Sequence, residues 1–180
     1  MKKALLPILL SLFSIAGLAQ ENRFFSYKSG SFDLVMEVMG QEMVTSTVFD
    51  DYGALQCAEL EMMGQKVKTV MRDGKTYVVS PFFQEAPSEE TVNYMDLSPE
   101  VIEKYGITMS GIESVDGKDC LVFSLKVKQQ GMDADAKTWV WEGFPIRSET
   151  KVMGMTIVTR LKNLKLDIPV DPAVFEIPSE

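Results

Sequence analysis

The sequence predicts a mainly β fold: a curled antiparallel sheet forming an open, unclosed barrel, with one or two short helices. Three observations carry that reading. Apolar residues recur with a period of two through most of the chain. Turn signals, among them Gly40, Gly64, Asp73-Gly74, Asp116-Gly117 and Gly154, fall between those runs at hairpin spacing. A capped helix start occurs at Ser98-Pro99 alone. About ten strands joined mainly by turns make a sheet too long to leave one apolar face bare, so the sheet must curl over it.

Residues 1–19 open with Lys2 and Lys3, continue as an apolar run and end in the small residues Gly17 and Ala19. This is the pattern of a cleaved secretory signal peptide, too short for a membrane span. No cysteine follows it, so lipidation is not expected. Cleavage leaves residues 20–180 as a single domain, long enough to bury a core without metal or dense disulfides. The expected location is periplasmic, with an extracellular one as the alternative.

Losing Lys2 and Lys3 leaves 16 basic against 26 acidic residues, a net charge of −10. On that balance nucleic acid and anionic lipid surfaces are poor partners, because both need clustered Lys and Arg.

Residues 21–30 show no period and read as a lead-in. Phe32, Leu34, Met36 and Val38 then alternate with Asp33, Val35, Glu37 and Met39, so four apolar side chains share one strand face. Met39-Gly40-Gln41 turns into 42–49. Residues 55–62, Met63-Gly64-Gln65 and 66–71 repeat the arrangement, and Asp73-Gly74 leads into 76–79. Residues 80–94 read as a polar loop with Phe82 and Phe83 at its start and room for a strand near 91–94. Ser98 is an N-cap with Pro99 at the first helical position, giving a short helix over 99–104 that ends by Gly106. Residues 108–115 and 120–127 flank the Asp116-Gly117 turn. In the second of these strands Leu121, Phe123, Leu125 and Val127 point inward, and 129–135 reads as its exit loop.

The C-terminal quarter reads as three strands in a meander. Trp139-Val140-Trp141 meets a turn at Glu142-Gly143-Phe144-Pro145. A strand over 146–152 and a turn at Met153-Gly154-Met155 follow, then a long run over 156–170. Pro172 and Pro178 bracket Phe175 and Ile177, folding a hydrophobic plug back onto the sheet.

Several of these pieces come in a characteristic order. They are residues 115–123 (Val-Asp-Gly-Lys-Asp-Cys-Leu-Val-Phe), Trp139-x-Trp141, Gly143-Phe144-Pro145-Ile146-Arg147, the strand over 163–167 and the closing Phe175-x-x-Pro178. Together they resemble the outer-membrane lipoprotein carrier (LolA-like) superfamily from Thr108 to the C-terminus, and the earlier hairpins match more loosely. The resemblance implies an unclosed barrel whose hydrophobic cavity, lidded by helices, takes acyl chains of lipoproteins or other lipid-like ligands. Carriers proper have an amphipathic lid helix before the first strand. Here about eleven residues separate Ala19 from Ser31, so the chain looks more like the shorter exported members that lack that helix.

Histidine is absent, which removes Ser-His-Asp and Cys-His nucleophiles, imidazole metal sites and His general bases. No enzymatic activity and no cofactor are expected. Glu59 and Glu61 could do acid–base work or hold a cation, but a solvated strand face explains them as well. Asp133-x-Asp135 lacks the further oxygen ligands that calcium needs. Met36, Met39, Met43, Met62, Met63, Met153 and Met155 could bind copper(I), or could be pliable lining and core. Cys57 and Cys120 form a disulfide if their strands adjoin, and are otherwise small buried side chains. Arg147 pairs either an acidic ligand head or a neighbour near Glu149.

The resulting expectation is a non-catalytic, exported binder of a hydrophobic or acylated ligand, extending to envelope lipoproteins. Its cavity would be lined by Phe32, Leu34, Met36, Val38, Leu121, Phe123, Leu125, Trp139 and Trp141. Two alternatives stand beside it: an envelope structural or protein-interaction module with a filled barrel, and methionine-based copper(I) binding.

Overall fold

The computed structural model describes residues 23–38, 40–62, 65–72, 75–79, 84–85, 92–129 and 132–177. The predicted leader and its cleavage site, Met39, Met63, Phe82, Phe83 and Pro178 lie outside these residues. So do the side chains of Val38, Met62, Val127 and Asp133.

Eleven strands make one antiparallel sheet. They are β1 (Gly30–Val38), β2 (Gln41–Asp50), β3 (Leu55–Met62), β4 (Gln65–Arg72), β5 (Lys75–Val79), β6 (Gln84–Glu85), β7 (Thr108–Val115), β8 (Lys118–Gln129), β9 (Met132–Trp141), β10 (Phe144–Val152) and β11 (Met155–Leu166). Their spatial order is β6-β5-β4-β3-β2-β1-β11-β10-β9-β8-β7. The first and last long strands therefore meet at the centre, where Leu34 pairs with Leu161 and Met36 with Thr159. β6 and β7 are the two edges and do not pair with each other, so the barrel stays open.

The chain crosses from one edge to the other through α1 (Pro99–Tyr105), which forms for the reasons read from the sequence. The Ser98 side chain accepts from the Val101 N–H at 3.3 Å, proline occupies the first turn, and Gly106 closes the helix at φ 55°.

Several boundaries differ from expectation. Phe144 already begins β10, so the turn is Glu142–Gly143 alone, with Glu142 at φ 52° and Gly143 at φ 86°. β8 and β9 extend to Gln129 and back from Met132, so most of the expected exit loop is strand. β11 stops at Leu166, because Asp167 turns to φ 50°. Residues 92–94 are not a strand.

Side chains paired across neighbouring strands share a face. We call the face against which α1 packs, through Phe123, Leu125 and Val140, the inner face. The predicted C-terminal plug sits on the outer one. Phe175 is 3% exposed and packs on Cys57 and Val70 together with Val174 and Ile177. A 3-10 turn at Pro172–Phe175 aims it there, started by Asp171 Oδ1 accepting from the Ala173 N–H at 3.0 Å.

The lead-in has a role that its lack of periodicity concealed. Phe24 and Phe25 donate their N–H groups to the Tyr52 carbonyl at 2.9 and 3.0 Å, and Ser26 donates to the Glu142 carbonyl at 3.2 Å. The segment thus ties the β2–β3 connection to the β9–β10 turn, across the mouth of the curl. Phe25 inserts among Phe32, Phe49 and Phe144, and this cluster is the largest part of the core. Each such ring contributes about 1.5–3 kcal/mol by burial.

Candidate ligand-binding face

The register separates charge from apolar surface. On the inner face, β1 contributes Phe32, Leu34 and Met36, β2 contributes Thr45, Thr47 and Phe49, and β3 contributes Gln56, Ala58 and Leu60. Beyond these lie Val67, Thr69 and Met71 of β4 and Thr76 and Val78 of β5. In the other direction the same face continues through Ile157, Thr159 and Leu161, then Ala134, Ala136 and Thr138. Among the described side chains of these strands, Asp119 at the start of β8 is the one charged group on this face. Thr45, Thr47, Thr76, Thr138 and Thr159 are buried there, and the hydroxyls of Thr47 and Thr76 have no hydrogen-bond partner among the described residues. At the α1 end the Tyr94 ring packs 5.4 Å from Phe123, and burial pushes its phenol pKa up.

The residues expected to line one cavity are divided among several environments. Phe32 and Leu34 join the aromatic core, while Met36 packs with Ala134, Val152 and Ile157. Phe123 and Leu125 lie under α1. Leu121, two residues before Phe123, is 41% exposed, because the neighbouring position on the edge strand β7, Ile112, is itself uncovered. Trp139 and Trp141 do share a side, the one that also carries Val122 and Arg147, and Trp139 joins the same buried cluster as Phe32 and Leu34, with Trp141 packed against it. Strand β8 is therefore buried on both faces, Cys120 and Val122 on one and Phe123 and Leu125 on the other. An alternating pattern shows one apolar face and hides the second.

The outer face holds a small polar network. The Trp139 indole N–H donates to Glu113 Oε2 at 2.7 Å, and Lys137 Nζ reaches Glu113 Oε1 at 3.2 Å. Lys137 and Arg147 lie over the Trp139 ring at 4.4 and 5.0 Å. The indole and ammonium donors hold the Glu113 carboxyl below its ordinary pKa. Arg147 pairs with Glu149, the neighbour named from the sequence.

Two open depressions occur on the outer side. One of about 470 Å³ is lined by Ser124, Lys126, Asp135, Lys137, Glu149 and Lys151 among others. The second, of about 440 Å³, lies over Ser31, Asp33, Ser46, Asn163 and Lys165. Both lie open at the surface among charged and hydroxyl-bearing residues, so neither is the enclosed apolar hollow expected from the sequence.

The remaining candidates resolve locally. Cys57 and Cys120 are free and buried, and five strands lie between β3 and β8, which excludes the disulfide in this fold. Glu59 and Glu61 face Lys68 and Lys66 across β4, as a solvated strand face would. Asp135 is in strand β9 between Lys126 and Lys151 instead of in a loop. Among the described residues no group of three acidic, cysteine or histidine side chains could hold a metal. Met36 and Met43 pack in one apolar cluster, whereas Met153 is 76% exposed at a turn, which divides the methionines proposed for copper.

No family model matches the sequence, and no characterised protein matches it by sequence. Solved structures do match the open sheet. The fold resembles that of MucB. MucB alone aligns at 14% identity and TM-score 0.55 over 89% of this chain and 60% of MucB. The Pseudomonas aeruginosa MucA/MucB complex aligns at 14% and 0.55 over 83% of this chain and 56% of its counterpart. This chain thus spans a little over half the length of MucB. LprF from Mycobacterium bovis matches at 12% identity and TM-score 0.41, over 79% of this chain and 88% of LprF. The likeness to MucB is one of fold. No helix among the described residues is long and apolar enough to cross a membrane.

Proposed function

We propose that the protein is an exported, non-catalytic binder of a hydrophobic or amphipathic ligand, such as a lipid or a lipoprotein acyl group, held on the inner face. The observation that carries this reading is the near-complete absence of charge from that face, while Lys, Arg and Glu crowd the other side of the same strands. Moving an acyl chain of about a dozen methylenes from water onto such a surface gains about 0.8 kcal/mol per methylene, on the order of 10 kcal/mol before ordering costs. The partnerless hydroxyls of Thr47 and Thr76 suit a ligand that brings an ester or hydroxyl with its chain. The leader-like start of the chain supports export. The test is mass spectrometry of lipids extracted from protein purified from its native host. Stoichiometric lipid is expected, reduced in Leu34→Asp; no bound lipid in the unaltered protein overturns the reading.

One observation favours an interaction module instead. Met109, Ile112 and Leu121 are 64%, 68% and 41% exposed at the β7 edge, where unpaired backbone groups and apolar side chains together can take up another chain. A pull-down that recovers one stoichiometric partner, lost in Ile112→Lys, with no lipid bound, would decide for it.

A further inference from the structure

The acidic balance of the sequence argues against anionic partners, yet tertiary structure concentrates the cations. Register places Lys118 and Lys126 of β8, Lys137 of β9, Arg147 and Lys151 of β10, and Arg160, Lys162 and Lys165 of β11 on the outer face. Asp135 and Glu149 are the two carboxylates whose described side chains share those four strands and that face. The C-terminal plug covers the outer face around β2–β4, and the core encloses Cys120, Val122 and Trp139, so the open part of this half is the stretch that carries Lys126, Lys151, Lys162 and Lys165. Lys126, Lys151, Lys162 and Lys165 are exposed, and among the described residues none of them lies within 4 Å of a carboxylate.

We propose that this face docks on a lipid surface bearing anionic phosphate headgroups, with the Met153-Gly154 turn as its apolar tip. Three features favour a lipid surface over an acidic peptide. The cations form a two-dimensional array, with spacings of about 5 Å between strands and 7 Å along them, where a peptide would need a line or a groove. Met153, two residues beyond Lys151, holds its side chain 76% exposed at the end of the array, and Val44, in the same cross-strand row as Arg160, is 46% exposed. Apolar tips beside clustered cations suit the headgroup boundary, where apolar burial and electrostatic attraction add. The depression lined by Lys126, Lys137 and Lys151, with Asp135 and Glu149 between them, is large enough to receive a headgroup and carries an excess of one positive charge. None of this requires a ligand on the inner face.

The experiment is sedimentation of the mature chain with phosphatidylglycerol-containing vesicles and with pure phosphatidylcholine vesicles, at low and high salt. Binding is expected to the anionic vesicles alone and to weaken with salt. Lys126→Glu with Lys151→Glu, and separately Lys162→Glu with Lys165→Glu, should each lower the partition coefficient at least about tenfold. Met153→Ser should lower it severalfold. Circular dichroism confirms folding of each variant, and the salt dependence of the unaltered protein tests the idea without them. Absence of binding at low salt, equal binding to both vesicle types, or charge-reversal variants that bind like the unaltered protein would overturn it. Binding to polyglutamate without binding to vesicles would overturn it in favour of an acidic protein partner.

Discussion

The Phe25 ring stacks on the Phe144 ring with centroids 4.2 Å apart and planes 4° from parallel. The first joins from an irregular lead-in and the second opens β10, so the stack links the start of the described chain to its C-terminal meander. Phe25 also meets Phe49 at 4.8 Å and Phe32 at 6.0 Å, and is 6% exposed. Phe25→Ala should therefore cost about 3–5 kcal/mol in urea unfolding, and Phe25→Leu less than half as much. A loss under 1 kcal/mol for the alanine variant would show that the lead-in does not hold the mouth of the curl.

Gly143 and Gly154 both turn hairpins at positive φ, 86° and 77°, but only one is enclosed. A Cβ on Gly143 would come 2.1 Å from the Phe24 carbonyl oxygen, whereas one on Gly154 meets nothing within 4 Å. Gly154→Ala should cost about 1–2 kcal/mol, from the left-handed backbone alone. Gly143→Ala should cost clearly more, since it must also push the lead-in away. Equal midpoints in thermal melts would contradict this.

Glu113 is an acid-range reporter because its carboxylate accepts from Trp139 and Lys137. Its folded pKa is lowered, so its stabilising contribution is fully present above the unfolded glutamate value of about 4.3 and is lost as pH falls through the lower folded value. In a Trp141→Phe background, Trp139 fluorescence should change with a midpoint below that of a free glutamate. Glu113→Gln should abolish the step.

Burial raises the pKa of both thiols, Cys57 and Cys120. Neither should react with a disulfide reagent at pH 8 until the protein unfolds, and a reductant should leave the melting temperature unchanged. Rapid labelling of the native protein, or a melting temperature lowered by reductant, would oppose that arrangement.

Thr47 buries a hydroxyl without a partner among the described residues, at 1% exposure. Thr47→Val should stabilise ligand-free protein by about 1 kcal/mol, since desolvation of the hydroxyl is no longer incurred. If the inner face holds an amphiphile, the same variant should retain less of it.

Local chemistry marked most elements in advance. Asp116-Gly117 gives the β7–β8 hairpin, Ser98-Pro99 and Gly106 bound α1, and the turn opened by Pro172 seats the Phe175 plug on the sheet. The inner face of β1 was equally readable, because Phe32, Leu34 and Met36 alternate with charged or outward positions. In contrast, Phe24 and Phe25 carry no period: their partners, Tyr52 and Phe144, are brought to them only by folding. The two tryptophans were paired correctly with each other and with Phe32 and Leu34, whereas Phe123 and Leu125 fall on the opposite side of β8 and pack under α1, because alternation says which residues share a side and not which core that side joins.

By itself, then, the sequence determined an antiparallel meander with one capped helix and an anchored tail, since turns, caps and period-two runs act over a few residues. Only the tertiary structure decided that the lead-in closes the mouth, that Cys57 and Cys120 stay apart, and that many cations of an acidic chain collect on one side of four neighbouring strands. Those outcomes depend on register between strands distant in sequence. A shift of one residue in that register would send every side chain to the opposite face.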